Sequence, residues 1–412
     1  MKILLLWAIF ISLILFTASC SLMVLQEERD FGVTFAQARA VTVVVDASIN
    51  TAVAASLATW QADLAKDGIE VRTIPWAGGT AEQLKQLLKT EHSQRNFDGT
   101  FLVGNLPAAW YELMNGATRE EFPCDIYLMD LDSEWADSDQ NGRYDLHSNL
   151  ATDIYVSRVT GTTAEINHYF SKNHQYRSGA LSMPQRALIF KDDDWSTYKP
   201  GSHFGLARIY ETVEIMEKLS ESVKPSYLSR LASNLEGSEF VNQWIHALPD
   251  TLFIAEDGEY NTLSANELAN RNVKGLFFNL YNCSAARFTE NNLSMTYLTK
   301  TDWAIATLGS TKPGGAYQAS DFYDVLAQQG TWGEAFKTWY NNTGKSSDTW
   351  FLGMVIQGDP TLKVHSQGIK SRLIDSRMPA PALHTEIISL ENSFSAFLGD
   401  FQPKNKEESA GN

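Results

Sequence analysis

Long hydrophobic runs, cysteine and basic charge are all scarce in this 412-residue chain. Its longest apolar run, residues 3–16, falls short of the ~20 residues a spanning helix needs. With 44% apolar residues overall, a polytopic membrane protein is excluded, and so is wholesale disorder. Three cysteines are too few for a disulfide scaffold. Lys and Arg number 33 against 49 Asp and Glu, a formal charge of −16. Such a surface repels phosphate backbones, so no nucleic acid is expected as a partner. Clustered carboxylates suit hard cations instead.

What is present begins with an address. A basic tip at Lys2, the apolar run and the small residues Thr17-Ala18-Ser19 before Cys20 follow the grammar of an export signal. Small residues directly before a cysteine also resemble a bacterial lipobox, which would make Cys20 the lipidated mature N-terminus and anchor the protein to a membrane. The protein is therefore expected to be exported, to the cell envelope or the medium, where disulfides are permitted. Cys124 and Cys283 then remain as thiols, paired or free.

Residues 1–20 read as the signal, 21–40 as a tether and 367–412 as a polar, weakly periodic tail. Between them the pattern is regular. Strands are expected at 41–45, 69–75, 99–103, 126–129 and 154–159, with helices at 52–64, 80–88 and 164–174. A second half starts near 184. It has strands at 186–190, 251–255, 276–281, 303–308 and 351–356, and helices at 205–219, 227–235, 240–247, 265–269, 293–298, 319–328 and 332–339. Strands alternating with helices imply an α/β fold, a mainly parallel sheet between helical layers. The expected division is an N-terminal α/β subdomain over 41–183 and a second subdomain over 184–366.

Three places have the residue types that carry chemistry. Asp137, Asp139, Asn141, the carbonyl of Arg143, and Asp145, with Gly142 at the turn, reproduce the first nine positions of an EF-hand-like loop. They are the expected ligands of a structural Ca2+. Ser148 stands where the bidentate glutamate would be, and the same composition also makes a solvated hairpin of Asx-turns. Asp192-Asp193-Asp194-Trp195 follows a strand, where α/β sheets bind ligands, but three adjacent aspartates read first as a solvated acidic loop. Cys283 follows the apolar strand 276–281, a position suited to a nucleophile once a base lowers its pKa.

The Cys283 segment and Trp303–Thr311 resemble the gingipain family of caspase-like cysteine peptidases. So do Leu102-Val103-Gly104-Asn105, the Asp125–Trp135 and Asp153–Val159 stretches, Trp332-Gly333-Glu334-Ala335-Phe336, and Gly358-Asp359-Pro360-Thr361-Leu362. The resemblance implies a caspase-like three-layer α/β/α sandwich with two related subdomains, the second carrying the active site. It also implies a protein or peptide substrate cleaved through Cys283.

In that family a Gly-His-Gly turn after an earlier strand supplies the histidine. With 251–255 taken as that strand, the turn falls on Glu256-Asp257-Gly258. The glycine is kept as Gly258, which with the Cys283 N–H would stabilise an oxyanion. Asp257 occupies the histidine position. A carboxylate beside a thiol raises its pKa, the wrong direction for activation. Of the eight histidines, His203 and His246 lie in the second half and reach Cys283 only through folding. Two functions follow: a cysteine endopeptidase, or an inactive relative kept as a calcium-stabilised, lipid-anchored binding protein.

Overall fold

The computed structural model describes residues 40–195, 202–216, 227–228, 231, 236–256, 259–314, 320–346 and 348–366. The signal with Cys20, the tether, the tail, Asp257 and Gly258 all lie outside them, as does most of the helix expected at 227–235. Among the described residues no helix is long and apolar enough to cross a membrane.

The first half opens with β1 (Ala40–Asp46), α1 (Asn50–Lys66), β2 (Glu70–Trp76), α2 (Ala81–Arg95) and β3 (Gly99–Val103). A hairpin of β4 (Trp110–Asn115) and β5 (Thr118–Pro123) follows, then the short helix α3 (Ile126–Met129). The two-residue strands β6 (Trp135–Ala136) and β7 (Leu146–His147) bracket the acidic loop. Next come β8 (Tyr155–Val159) and α4 (Thr163–Arg177). The second half runs β9 (Ala187–Lys191), α5 (Ser202–Ile209), β10 (Val213–Met216), β11 (Phe240–Trp244), β12 (His246–Leu248), β13 (Thr251–Glu256) and β14 (Glu259–Ser264). It ends with α6 (Ala265–Arg271), β15 (Phe277–Tyr281), α7 (Leu293–Lys300), β16 (Ala306–Ser310), α8 (Ser320–Ala327), α9 (Trp332–Asn342), α10 (Asp348–Phe351) and β17 (Met354–Gly358).

One ten-stranded sheet joins both halves in the order β10-β9-β11-β15-β16-β17-β8-β3-β1-β2. Every pairing in it is parallel except β16 with β17. Helices α1, α4 and α7 pack in one group and α5, α8 and α9 in another, giving the helix–sheet–helix sandwich expected from the alternation. Sheet and helices approach closely where glycine permits it. A Cβ on Gly99 or on Gly333 of α9 would lie 2.0 or 2.6 Å from the Tyr155 ring. Below the sheet, buried Asp359 collects Trp60 Nε1 (2.7 Å), Asn173 Nδ2 (2.9 Å) and Arg177 (2.7 Å), pinning α1 and α4 to the end of β17.

Three expected elements differ. Residues 126–129 form α3, not a strand: an apolar run this short and fully buried has no period to read. The helix expected over 205–219 ends at Ile209, and Val213–Met216 is the edge strand β10. Most consequentially, 240–247 is not a helix. Phe240–Trp244 is a central strand, buried at every position. Its apolar residues at 240, 241, 244 and 245 mimic a helical stripe because both strand faces are covered. The polar pair between them finds partners in the interior. Gln243 Oε1 accepts from Tyr227 (2.5 Å) and Tyr297 (2.9 Å), and Asn242 donates to Tyr323 Oη (3.4 Å).

Candidate active site

Strands β9, β11 and β15 lie side by side and parallel, so their carboxyl ends open on one edge of the sheet. In the β11–β15 ladder Trp244 faces Tyr281. Two residues beyond Trp244 is His246, and two beyond Tyr281 is Cys283. The two strands run parallel, so the segments that carry His246 and Cys283 both leave the same end of the sheet. Side chains hold the ends together past the last ladder bond: Gln243 Nε2 donates to Asn282 Oδ1 (2.7 Å), and the Asn282 amide donates to the Ile245 carbonyl. On the other flank the Asp192 N–H donates to the Trp244 carbonyl at 3.1 Å.

Cys283 leaves the strand through a sharp turn. Ser284 adopts the left-handed conformation, φ +56°, uncommon for a residue with a Cβ. It is fixed there by its N–H to the Lys312 carbonyl (2.9 Å) and by Arg287 N–H to its own carbonyl (3.0 Å). Neither Cys124 nor Cys283 is in a disulfide. They differ in kind: Cys124 is buried, donates to the Leu352 carbonyl (3.2 Å) and is pushed by burial to about 12. Cys283 is partly exposed. Only the second has the access a nucleophile needs.

His246 is 2% exposed. Burial lowers its pKa to about 4 against the opposing pull of Asp194, whose carboxylate lies 3.5 Å from Nε2. The imidazole is therefore neutral at physiological pH. Asp194 is itself oriented by the Tyr260 hydroxyl at 2.6 Å, and the Trp195 ring packs on the imidazole at 5.3 Å. The acidic triplet is no solvated loop. Asp192 is fully buried and accepts from Ala255 N–H at 3.3 Å. Burial, then the nearby Asp194, raise its pKa well above the carboxylate range.

The strand expected to carry the histidine turn lies elsewhere. β13 pairs antiparallel with β12 and β14 in a separate three-stranded sheet, so it is not the neighbour of β15. The neighbours of β15 are β11 and β16; the histidine after β11 is His246, which opens β12 of the three-stranded sheet opposite Phe253. His203 falls in α5. The one sequence signal that pointed to His246 was its place after an apolar run, obscured by the helical reading of that run.

In the acidic loop the expected ligands divide. Asp137 accepts from the N–H groups of Asn141 (3.1 Å) and Gly142 (2.7 Å), and Asn141 Oδ1 from the N–H of Arg143 (2.9 Å). Those are Asx-turn roles. Carboxylate oxygens of Asp139 and Asp145 converge instead with Glu112 from β4, all within 4.8 Å of one another. Glu112 was not foreseen, because only the hairpin brings it there. An acidic cluster able to coordinate a metal ion is thus present.

The chain thus has a caspase-like fold in which His246 and Cys283 each follow one of two adjacent parallel strands, with the Asp194 carboxylate beside the histidine. The sequence matches the model of Peptidase family C25 over residues 37–365, and the chain belongs to that family. The fold is similar to the crystal structure of the Arg-specific cysteine proteinase gingipain R (RgpB), with TM-score 0.55 and 13% identity over 80% of this chain and 78% of that one. It is also similar to the complex of Porphyromonas gingivalis RgpB pro- and mature domains, with TM-score 0.54 and 11% identity over 80% of each chain. No curated protein matches the sequence.

Proposed function

We propose that the protein is a cysteine-type endopeptidase in which Cys283 is the nucleophile, His246 its general base and acid, and Asp194 the group that orients the imidazole. The observation that supports this reading is the β11–β15 register, whose last pair, Trp244 and Tyr281, lies two residues before His246 on one strand and Cys283 on the other. Neutral His246 takes the Cys283 proton as sulfur attacks the peptide carbonyl. The backbone N–H of Cys283 receives the oxyanion. The imidazolium, stabilised by Asp194, then protonates the departing amine. Water, deprotonated by the same histidine, hydrolyses the thioester. The alternative, suggested by Asp257 at the position of the family histidine, is an inactive relative, whose Cys283 the ketone used below would not label.

The substrate is accordingly a protein or peptide. Export, and anchoring through a lipid on Cys20, remain part of the proposal and rest on the N-terminal residues alone. Ca2+ belongs to it as well. Glu112, Asp139 and Asp145 present the oxygen donors that a hard cation takes, and a bound ion would fasten the acidic loop to the β4–β5 hairpin. Its contribution would be structural.

The test is covalent labelling by a peptide acyloxymethyl ketone, read by intact mass. One adduct is expected on the natural chain and none on Cys283→Ala. Equal labelling of the two would sink the assignment of the nucleophile.

A further inference from the structure

The nucleophile turn is gripped by an element that contributes nothing to the site itself. Hairpin β4–β5 reaches it through three side chains. Lys312 Nζ meets Glu120 Oε2 of β5 at 2.7 Å, in an ion pair whose side chains are 0% and 6% exposed. Thr311 Oγ1 donates to the Pro123 carbonyl at 2.6 Å, and Arg287 Nη2 to the Glu121 carbonyl at 2.6 Å. Residues 311 and 312 carry the carbonyl that fixes Ser284, and Arg287 closes the turn from its other side. Both flanks of Cys283 are thus bolted to one ribbon. Charge is an expensive bolt in such a place: a buried ion pair seldom stabilises more than an apolar pair of the same shape. What it adds is direction. Glu120 is further aimed by Asn115 Nδ2 (3.0 Å), while Lys312 Nζ also donates to the Pro313 carbonyl (2.6 Å). The lysine ammonium is thus held by two partners, and the backbone carbonyl of the same residue accepts from the Ser284 N–H.

We propose that Glu120 and Lys312 are positioning residues for Cys283: their buried pair clasps hairpin β4–β5 to the turn and fixes the left-handed Ser284 that aims the thiol. This rests on the peptidase reading above. Neither residue touches substrate, and both act through the Lys312 carbonyl.

The experiment uses the full chain with Lys312→Met and Glu120→Gln, below the melting temperature of each. Two quantities are read together: the rate of Cys283 labelling by the peptide ketone, and amide hydrogen exchange of the peptide containing residues 283–287. The expected result is at least ~10-fold slower labelling, since a misplacement near 1 Å costs up to about 100-fold. Faster exchange at Ser284 should accompany it, with KM for a cleaved peptide unchanged and kcat reduced. Thr311→Val weakens the same clasp without an orphaned charge and should slow labelling several-fold, which covers the case in which the charge variants fail to fold. Unchanged labelling in variants of a chain that labels normally overturns the clasp and leaves the peptidase reading intact. Faster exchange without slower labelling also overturns it. A natural chain that no ketone labels overturns both.

Discussion

Replacing His246 with glutamine tests the site through stability and reactivity at once. Buried His246 has its pKa lowered from 6.5 to about 4. Between those values the unfolded imidazole binds a proton that the native one refuses. Native stability must therefore fall as pH drops through this window and be unaffected by His246 above it. The gap corresponds to about 3 kcal/mol, a large share of a typical domain's stability. Glutamine keeps a polar side chain of similar reach but does not titrate. Urea unfolding followed by tryptophan fluorescence, at pH 7 and pH 4, should show the natural chain losing about 3 kcal/mol more than His246→Gln on acidification. Labelling of Cys283 by the peptide ketone should fall about 100- to 10,000-fold in the variant at neutral pH, the usual worth of general acid–base catalysis. In the natural chain, labelling should keep its imidazole assistance down to near pH 4. Equal pH dependence of stability in the two proteins would refute the buried neutral imidazole. Undiminished labelling would refute its role as base.

Three further outcomes are expected. Chelation of divalent cations should lower the melting temperature, and Asp139→Ala should abolish that response; an unchanged melting curve under chelator counts against the metal site. Arg177→Met should destabilise by about 3–5 kcal/mol in denaturant unfolding, the cost of leaving a buried charge unpaired, because Arg177 lies 2.7 Å from fully buried Asp359. Burial alone would raise the Asp359 pKa, but Arg177 and its hydrogen bonds hold it below the usual value. That stabilisation is present above the unfolded carboxylate pKa and lost on acidification, so the penalty should shrink toward low pH. Asp192 has the opposite sign: its raised pKa means native stability declines as pH rises past the unfolded value. Asp192→Asn should therefore gain on the natural chain between pH 4 and pH 7, and a constant difference would show that Asp192 does not titrate as described.

The legible parts of the fold were those whose pattern is local. Val41-Thr42-Val43-Val44-Val45 announced β1 by β-branched composition. The Thr-x-x-Glu capping boxes at Thr162 and Thr331 mark the starts of α4 and α9, both near the expected positions. Strand β15 and the place of Cys283 at its end were equally plain. Strand β11 was not, because a strand covered on both faces loses its alternation. Its interior Asn242 and Gln243 hydrogen-bond to tyrosines 16 or more residues away, so their partners lie outside the local pattern.

The sequence by itself determined an α/β chain with a thiol at a strand end, an acidic balance and a loop rich in carboxylates, since each is written in composition and short-range period. Only the tertiary structure decided which strand lies beside β15. That pairing spans residues 240–281 and depends on burial from both sheet faces, which no local pattern encodes. The tertiary structure set His246 two residues past the strand beside β15, joined Glu112 to Asp139 and Asp145, and buried Asp192 in what read as a solvated loop.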